Sequence, residues 1–364
     1  MGELQALKIL LAAGGTGGHI WPSISFANWV LEKQPDAEVR FVCGNRPIEK
    51  SMFSHAGIEP VVLPMEGSPL WGSFRKRAER WKGLLRSIYI SRKILKEWKP
   101  DVCIAFGGYL SLPVILASKM ARTPVLLHEQ NARAGRVTRI AVRLGIPILS
   151  GWERCLPLSS NEFSHVGVPV RRMICLPPEE AWKRLGFKIP VPPKPIILVL
   201  GGSLGSDPLA GLFKSACSMK PFAGWSILLL GTGTQIVQET PNLWILPREW
   251  DIGLLYSLSD VAVARGGSST LAELIVFGLP SVIIPWREAA DDHQMENAMV
   301  FSEMGHGSIW EIDNGVLQNL GFMIDYEQKR ARLGHNSSCP KKNSDVCEKL
   351  WEHVLQNAEG RGHK

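Results

Sequence analysis

Residues 8–22 read KILLAAGGTGGHIWP: an unbroken apolar run, then glycines around a threonine, then a histidine and a proline. A continuous run of Ile, Leu and Ala suits a strand buried on both faces, as in a parallel sheet. The glycines let backbone N–H groups approach phosphate oxygens, with a helix N-terminus behind them. Pro22 fits only the first helical turn, which predicts a helix beginning near His19. Strand, glycine turn and helix in this order form the repeating unit of a doubly wound α/β fold.

Working outward, the same alternation recurs. Strands are expected at 39–44, 60–64, 101–108, 124–130 and 147–151, rich in Val, Ile and Leu, with helix-length segments between them. SISFANWVLEKQ, with Phe26, Trp29 and Val30 at helical spacing, is one such segment. GFKIPVPPKP (186–195) packs four prolines into six residues from Pro190 and reads as a stiff connector. After it the pattern restarts with PIILVLGGS (195–203), followed by strands at 225–233, 260–267 and 280–286. Two Rossmann-like halves in tandem are therefore expected: 1–170 and 171–342. A last helix near 344–357, with Val346, Leu350 and Val354 on one face, would pack back on the first of them.

Composition sets the outer bounds. The chain has 364 residues, enough for two domains, with 45% hydrophobic and 21% charged residues. It has no run of 18 apolar residues, so no membrane-spanning helix is expected, and its first residues do not resemble a signal peptide. Seven scattered cysteines without a CxxC pair argue against a disulfide framework or zinc site and for a reducing cytoplasm. The net charge of +7 suggests an anionic partner.

Three glycine turns stand where strands end: GGTGGH (14–19), GGSLGS (201–206) and RGGSST (265–270). Any one could be only a tight turn. Three at the carboxyl ends of parallel strands point to ligand binding. The dinucleotide fingerprint G-x-G-x-x-G fails in every register of the first, and no acidic residue closes the second strand. No P-loop is present. His19 is then either a bystander at a helix start or a base beside a phosphate-bearing substrate.

The motif set GGTGGHIWP, GGYLSLP (107–113), LLHEQNARAG (126–135), VGVPVR (166–171), GGSLGS, RGGSSTLAELIVFGLPSVIIPW (265–286) and DDHQMENA (291–298) resembles glycosyltransferase family 28. The members that it is most similar to serve peptidoglycan lipid-intermediate synthesis. The likeness spans the chain to about residue 310. It implies the GT-B fold, two Rossmann domains facing across a cleft. It also implies inverting transfer of GlcNAc from UDP-GlcNAc to the MurNAc 4-hydroxyl of undecaprenyl-diphosphate-MurNAc-pentapeptide. Asp291 and Asp292 could suggest a metal, but a helix N-terminus and an arginine can already stabilise the leaving diphosphate, so no cofactor or bound metal is expected.

Carried over position by position, the resemblance puts the donor in the C-terminal half. Glu273 would hold the ribose beside Thr270, and Arg265 with the turn through Ser268 and Ser269 would face the diphosphate. Ser203 belongs to the second glycine loop. Gln294, with His293 and Asn297, would orient the GlcNAc, and Glu249 would lie near the uracil. From the N-terminal half, Thr16, Gly17, Gly18, Asn131 and Arg171 would line the cleft. His19 is the candidate base, with Glu129 near it. Leu204, Ser206 and Val168 depart from the family pattern. TLAE (270–273) also fits a capping box, in which Glu273 merely closes its helix, and DDHQ (291–294) offers Gln294 the same role.

The segment 71–99 carries ten Lys/Arg against Glu79 and Glu97, so the rest of the chain is close to neutral. Trp71, Phe74, Arg75, Lys76, Arg77, Arg80 and Trp81 lead this interleaving of charge with aromatics. Trp81, Leu84, Leu85, Ile88 and Leu95 recur at helical spacing, as for a face packed on the sheet. With a lipid-linked acceptor, the patch also suits peripheral docking on the anionic cytoplasmic face of a bacterial membrane. Nucleic acid is disfavoured, because no recognition motif accompanies the charge. Competing functions are another GT-B enzyme, such as a UDP-GlcNAc 2-epimerase or macrolide-type glycosyltransferase, and a non-catalytic sugar-nucleotide binder.

Overall fold

A computed structural model describes residues 6–67, 74–187, 190–202, 207–312, 317–334 and 344–359. The chain divides into two units, Met1–Arg171 with Asn343–Lys364, and Arg172–Lys342.

The first unit runs β1 (Lys8–Ala12), α1 (Gly17–Lys33), β2 (Glu38–Cys43), α2 (Pro47–His55), β3 (Val61–Val62), α3 (Phe74–Trp98), β4 (Val102–Ala105), α4 (Ser111–Ala121), β5 (Val125–Glu129), α5 (Arg136–Arg143), β6 (Ile148–Ser150) and β7 (Ser164–His165). Its parallel sheet has the order β3-β2-β1-β4-β5-β6-β7. Strands β4 and β5 are buried at every residue, as their continuous apolar sequences require. Leu10, Ala12, Val42, Cys103 and Leu127 from the sheet meet Leu84, Leu95 and Val114 from the helices in one core.

The second unit runs α6 (Pro178–Arg184), β8 (Ile196–Leu200), α7 (Asp207–Ala216), β9 (Ser226–Gly233), β10 (Val237–Thr240), β11 (Leu243–Pro247), α8 (Ile252–Leu258), β12 (Val261–Ala264), α9 (Ser268–Phe277), β13 (Ser281–Ile283), α10 (His293–Glu303), β14 (Gly307–Ile309) and α11 (Leu317–Gly334). Its sheet order is β10-β11-β9-β8-β12-β13-β14, and only β10 runs antiparallel to its neighbour. Ile197, Val199, Ile227 and Val263 pack with Phe213, Phe222 and Leu320. The final helix α12 (Ser344–Glu359) belongs to the first unit, where Trp351 meets Trp29 of α1 edge to face.

One local expectation is corrected. Helix α1 starts at Gly17, two residues before His19, and Pro22 lies inside it. The lost Pro22 N–H costs one helix bond, and Ser23 and Ser25 hydroxyls turn back onto the Ile20 and Trp21 carbonyls at 2.7 Å each. The units divide after Arg171, and the proline-rich stretch falls inside the second unit. Residues 172–187 already belong to the second unit, in which α6 packs on α8.

In each sheet the strand order reverses beside its first strand, between β1 and β4 and between β8 and β12. At such a reversal, ligands of open α/β sheets bind outside the carboxyl ends of the strands.

Candidate active site

In the first unit the turn after β1 and the turn after β4 meet at His19. Gly107 and Gly108 both have positive φ, +73° and +71°. A Cβ on Gly107 would lie 3.3 Å from His19 Nδ1, and one on Gly108 would lie 3.2 Å from His19 Nε2. Only glycine both adopts this backbone and admits the imidazole. A cavity of about 290 Å³ opens here, lined by Gly14, Gly15, Thr16, His19, Arg46, Gly67, Arg80, Gly108 and Tyr109.

Several of these residues carried no expectation. Glu49 of α2 is fully buried, and its Oε1 accepts the Gly15 N–H at 2.9 Å and the Tyr109 hydroxyl at 2.8 Å. It thus ties the glycine turn to the turn after β4. Burial, reinforced by Glu49, pushes the Tyr109 hydroxyl pKa up. Arg46 donates to the Gly15 carbonyl at 3.2 Å. The Arg80 guanidinium lies against Gly67 and lines the cavity.

The imidazole is held from behind. His19 Nδ1 lies 2.7 Å from Gln130 Oε1. Gln130 Nε2 donates to His128 Nδ1 at 2.8 Å and to the His128 carbonyl at 2.9 Å. His128 Nε2 donates to the Gly167 carbonyl at 2.8 Å. Burial holds the His128 pKa down at about 4, so this ring is neutral at pH 7.

Glu129 is almost wholly buried and committed to its own loop. It accepts from Asn131 through the backbone and side chain, from the Gly135 N–H and from the Thr138 hydroxyl. Thr16 is the extended N-cap residue of α1 without a side-chain cap bond, and Gly17 and Gly18 form the first turn. The Arg171 guanidinium sits 4.4 Å from the Trp21 ring centroid. Val168 fills the space against Gly151, where a Cβ would come within 2.4 Å of it.

In the second unit the N-termini of α9 and α10 come together. A Cβ on Gly266 would meet the Gln294 carbonyl at 2.2 Å, and buried Asn297 donates to the Gly266 carbonyl at 2.9 Å. Arg265 is buried and anchored on the Ile284 carbonyl at 3.1 Å, and burial lowers its pKa. Ser268 and Ser269 form the first turn of α9, capped by Gly267. Thr270 is therefore the third helical residue and Glu273 the sixth. That overturns the capping-box alternative. Glu273 instead accepts the Tyr256 hydroxyl at 3.0 Å and is buried. Gln294 likewise does not close its helix. Its Oε1 accepts the Trp286 N–H at 3.0 Å, directly after Asp292, the N-cap, and His293. Glu249 accepts the Asp251 N–H at 2.7 Å, before α8. Ser203, Leu204, Ser206 and Trp71 lie outside the described residues.

Helix α3 carries two faces. Leu84, Ser87, Ser91, Leu95 and Trp98 are buried, whereas Trp81, Leu85 and Tyr89 are 46%, 64% and 70% exposed at four-residue spacing. The expected single apolar face is thus split, with Trp81 and Leu85 pointing away from the core that takes Leu84 and Leu95. Arg77 is exposed near the start of α3, which Phe74, Arg75 and Lys76 begin. No helix among the described residues is long and apolar enough to cross a membrane.

Comparison with known proteins places this geometry in context. Residues 9–145 match the glycosyltransferase family 28 N-terminal domain, and residues 196–320 match the family 28 C-terminal domain. The UDP-N-acetylglucosamine–N-acetylmuramyl-(pentapeptide) pyrophosphoryl-undecaprenol N-acetylglucosamine transferase of Aquifex aeolicus is 32% identical, over 83% of this chain and 86% of its own. The transferase of the same name from Syntrophotalea carbinolica is 30% identical, over 92% and 94%. Among solved structures, MurG of Acinetobacter baumannii aligns at a TM-score of 0.67 and 22% identity, over 96% of this chain and 99% of its own. A UDP-N-acetylglucosamine 2-epimerase aligns at 0.63 and 13%, over 99% and 98%, which shows a shared fold alone.

Proposed function

The chain belongs to glycosyltransferase family 28 and has the GT-B fold, and from that membership and its site we propose the following reaction. It transfers GlcNAc from UDP-GlcNAc to the MurNAc 4-hydroxyl of undecaprenyl-diphosphate-MurNAc-pentapeptide, with inversion at the anomeric carbon. The observation that carries the acceptor side is His19 held at the first unit's strand-order reversal, beside a cavity that also presents Arg46 and Arg80.

The roles follow from the chemistry of each group. His19 removes the proton of the attacking hydroxyl, a step worth roughly 100- to 10,000-fold. Arg46, Arg80 and the α1 N-terminus attract the acceptor diphosphate. On the donor side, Glu273 accepts from the ribose hydroxyls, and Gln294, with His293 and Asn297, orients the GlcNAc. Arg265 and the α9 N-terminus, through Ser268, Ser269 and Thr270, stabilise the departing UDP without needing a metal. Ser203 and Glu249 complete the nucleotide contacts, and Thr16, Gly17, Gly18, Asn131 and Arg171 contribute to UDP-GlcNAc binding from the first unit. Glu129 serves by fixing the loop that carries Asn131.

The exposed Trp81, Leu85 and Tyr89, among basic residues of α3, dock the enzyme peripherally on the anionic cytoplasmic face of the membrane that holds the acceptor. A UDP-release assay with the lipid-linked MurNAc-pentapeptide tests the reaction. UDP must appear only when acceptor is added. UDP with ManNAc and no acceptor would mean the epimerase, and no UDP at all would mean a binding protein.

A further inference from the structure

We propose that Gln130 and His128 are positioning residues that lock His19 in its Nδ1–H tautomer, leaving the lone pair on Nε2 at the cavity. The inference rests on the reading of His19 as the base. Each link is forced by an obligate partner. The Gly167 carbonyl can only accept, so His128 Nε2 carries a proton. A neutral His128 then has its lone pair on Nδ1, which accepts from Gln130. The Gln130 group facing His128 also meets the His128 carbonyl, so it is the NH₂ end. That fixes the amide orientation, and Oε1 is left facing His19 Nδ1, which must donate. Which imidazole nitrogen is protonated is set by the bond the other makes.

The two glycines at 107 and 108 leave the room that the ring needs in this position. Without the relay, a free imidazole side chain favours Nε2–H, the form unable to accept a proton at that atom. With it, the acceptor hydroxyl proton passes to Nε2 as its oxygen bonds the anomeric carbon and the bond to UDP breaks. The imidazolium keeps its Nδ1–H bond to Gln130 and later releases the Nε2 proton to solvent. The charged and titratable groups around the ring are Arg46, Arg80 and Tyr109 in the cavity, Glu49 behind the glycine turn, and His128 with Glu129 on β5.

The direct test is the imidazole nitrogen spectrum of the ¹⁵N-labelled protein, with His19 assigned through His19→Gln. A protonated Nδ1 and an unprotonated Nε2 are expected in the neutral ring; an Nε2–H signal would overturn the proposal. Gln130→Met should then lower kcat on the order of 10- to 100-fold, a part of what a general base supplies, with KM for UDP-GlcNAc unchanged. Added to His19→Ala, it should cost nothing further; multiplying losses would overturn the relay. Gln130→Glu keeps an acceptor for Nδ1–H, so it should recover turnover relative to Gln130→Met and shift the acid limb of the kcat profile upward. No recovery and no shift would count against the relay. Near-normal turnover in His19→Ala would overturn the base reading and the proposal with it, whereas an Nε2–H tautomer overturns the proposal alone.

Discussion

At the scale of single residues, Glu273 illustrates how a position in a helix decides between roles. As the sixth residue of α9 it cannot close that helix, and its buried carboxylate is shared with the Tyr256 hydroxyl. Glu273→Gln preserves shape and still accepts from Tyr256, so the fold should barely change. Hydrogen bonds to a charged group are worth about 1.5–3 kcal/mol, so KM for UDP-GlcNAc should rise roughly 10- to 100-fold. Unchanged UDP affinity by calorimetry would remove Glu273 from the ribose. His128 makes a second prediction at this scale, through pH. Its folded pKa of about 4 lies below the ordinary 6.5, with burial the leading cause. Between those values the unfolded chain binds the proton and the folded chain does not, so stability falls as pH drops from 6.5 towards 4. The loss from this group is on the order of 3 kcal/mol. Melting points across that window should fall more steeply for the wild type than for His128→Gln, and parallel slopes would refute the assignment.

At the scale of elements, helix α3 separates two kinds of apolar residue that share one sequence pattern. Leu84 is 3% exposed and Leu85 is 64% exposed. Leu84→Ala should cost about 2–4 kcal/mol through lost burial and a cavity, whereas Leu85→Ala should stay within about 0.5 kcal/mol. Urea unfolding midpoints would show this, and equal losses would mean that the helix is rotated. Periodicity in the sequence located the helix but could not say which of two adjacent leucines faced the sheet. The long buried strands were legible because burial on both faces forces continuous Val, Ile and Leu. Short β7 and β14, and the exposed β10 (VQET), bear no such constraint and were missed; β11 was missed too, although its LWILP run follows the turn residues Pro241 and Asn242. The same holds for the site. His19 stood out beside its glycine turn, whereas Glu49 and Arg46 reach that turn from α2 through the fold, with no motif to mark them. Gln130 lay inside a quoted motif, yet its part emerges only once three carbonyl and imidazole partners surround it.

At the scale of the whole molecule, charge is segregated. The segment 71–99 holds ten of the 41 Lys/Arg and two of the 34 Asp/Glu. Along described α3, basic residues flank the exposed stripe of Trp81, Leu85 and Tyr89. An aromatic and aliphatic stripe between cations suits the interfacial layer of an anionic bilayer, where each basic residue near the surface adds about 1 kcal/mol. This attraction decays within a Debye length, about 10 Å at 0.1 M salt. Binding to phosphatidylglycerol vesicles should therefore be strong at low salt, weaken steeply as salt rises, and be nearly absent on phosphatidylcholine. Arg75→Glu, Lys76→Glu and Arg77→Glu combined reverse three charges at the start of α3, far in sequence from the residues assigned to the donor. That variant should stay in the supernatant with anionic vesicles while binding UDP as the parent does. Replacing Leu85 and Tyr89 with serine should weaken vesicle binding in a way that salt does not reproduce, because it removes apolar contact rather than charge. Equal co-sedimentation of the charge-reversed variant and the parent would show that this surface does not dock on the membrane.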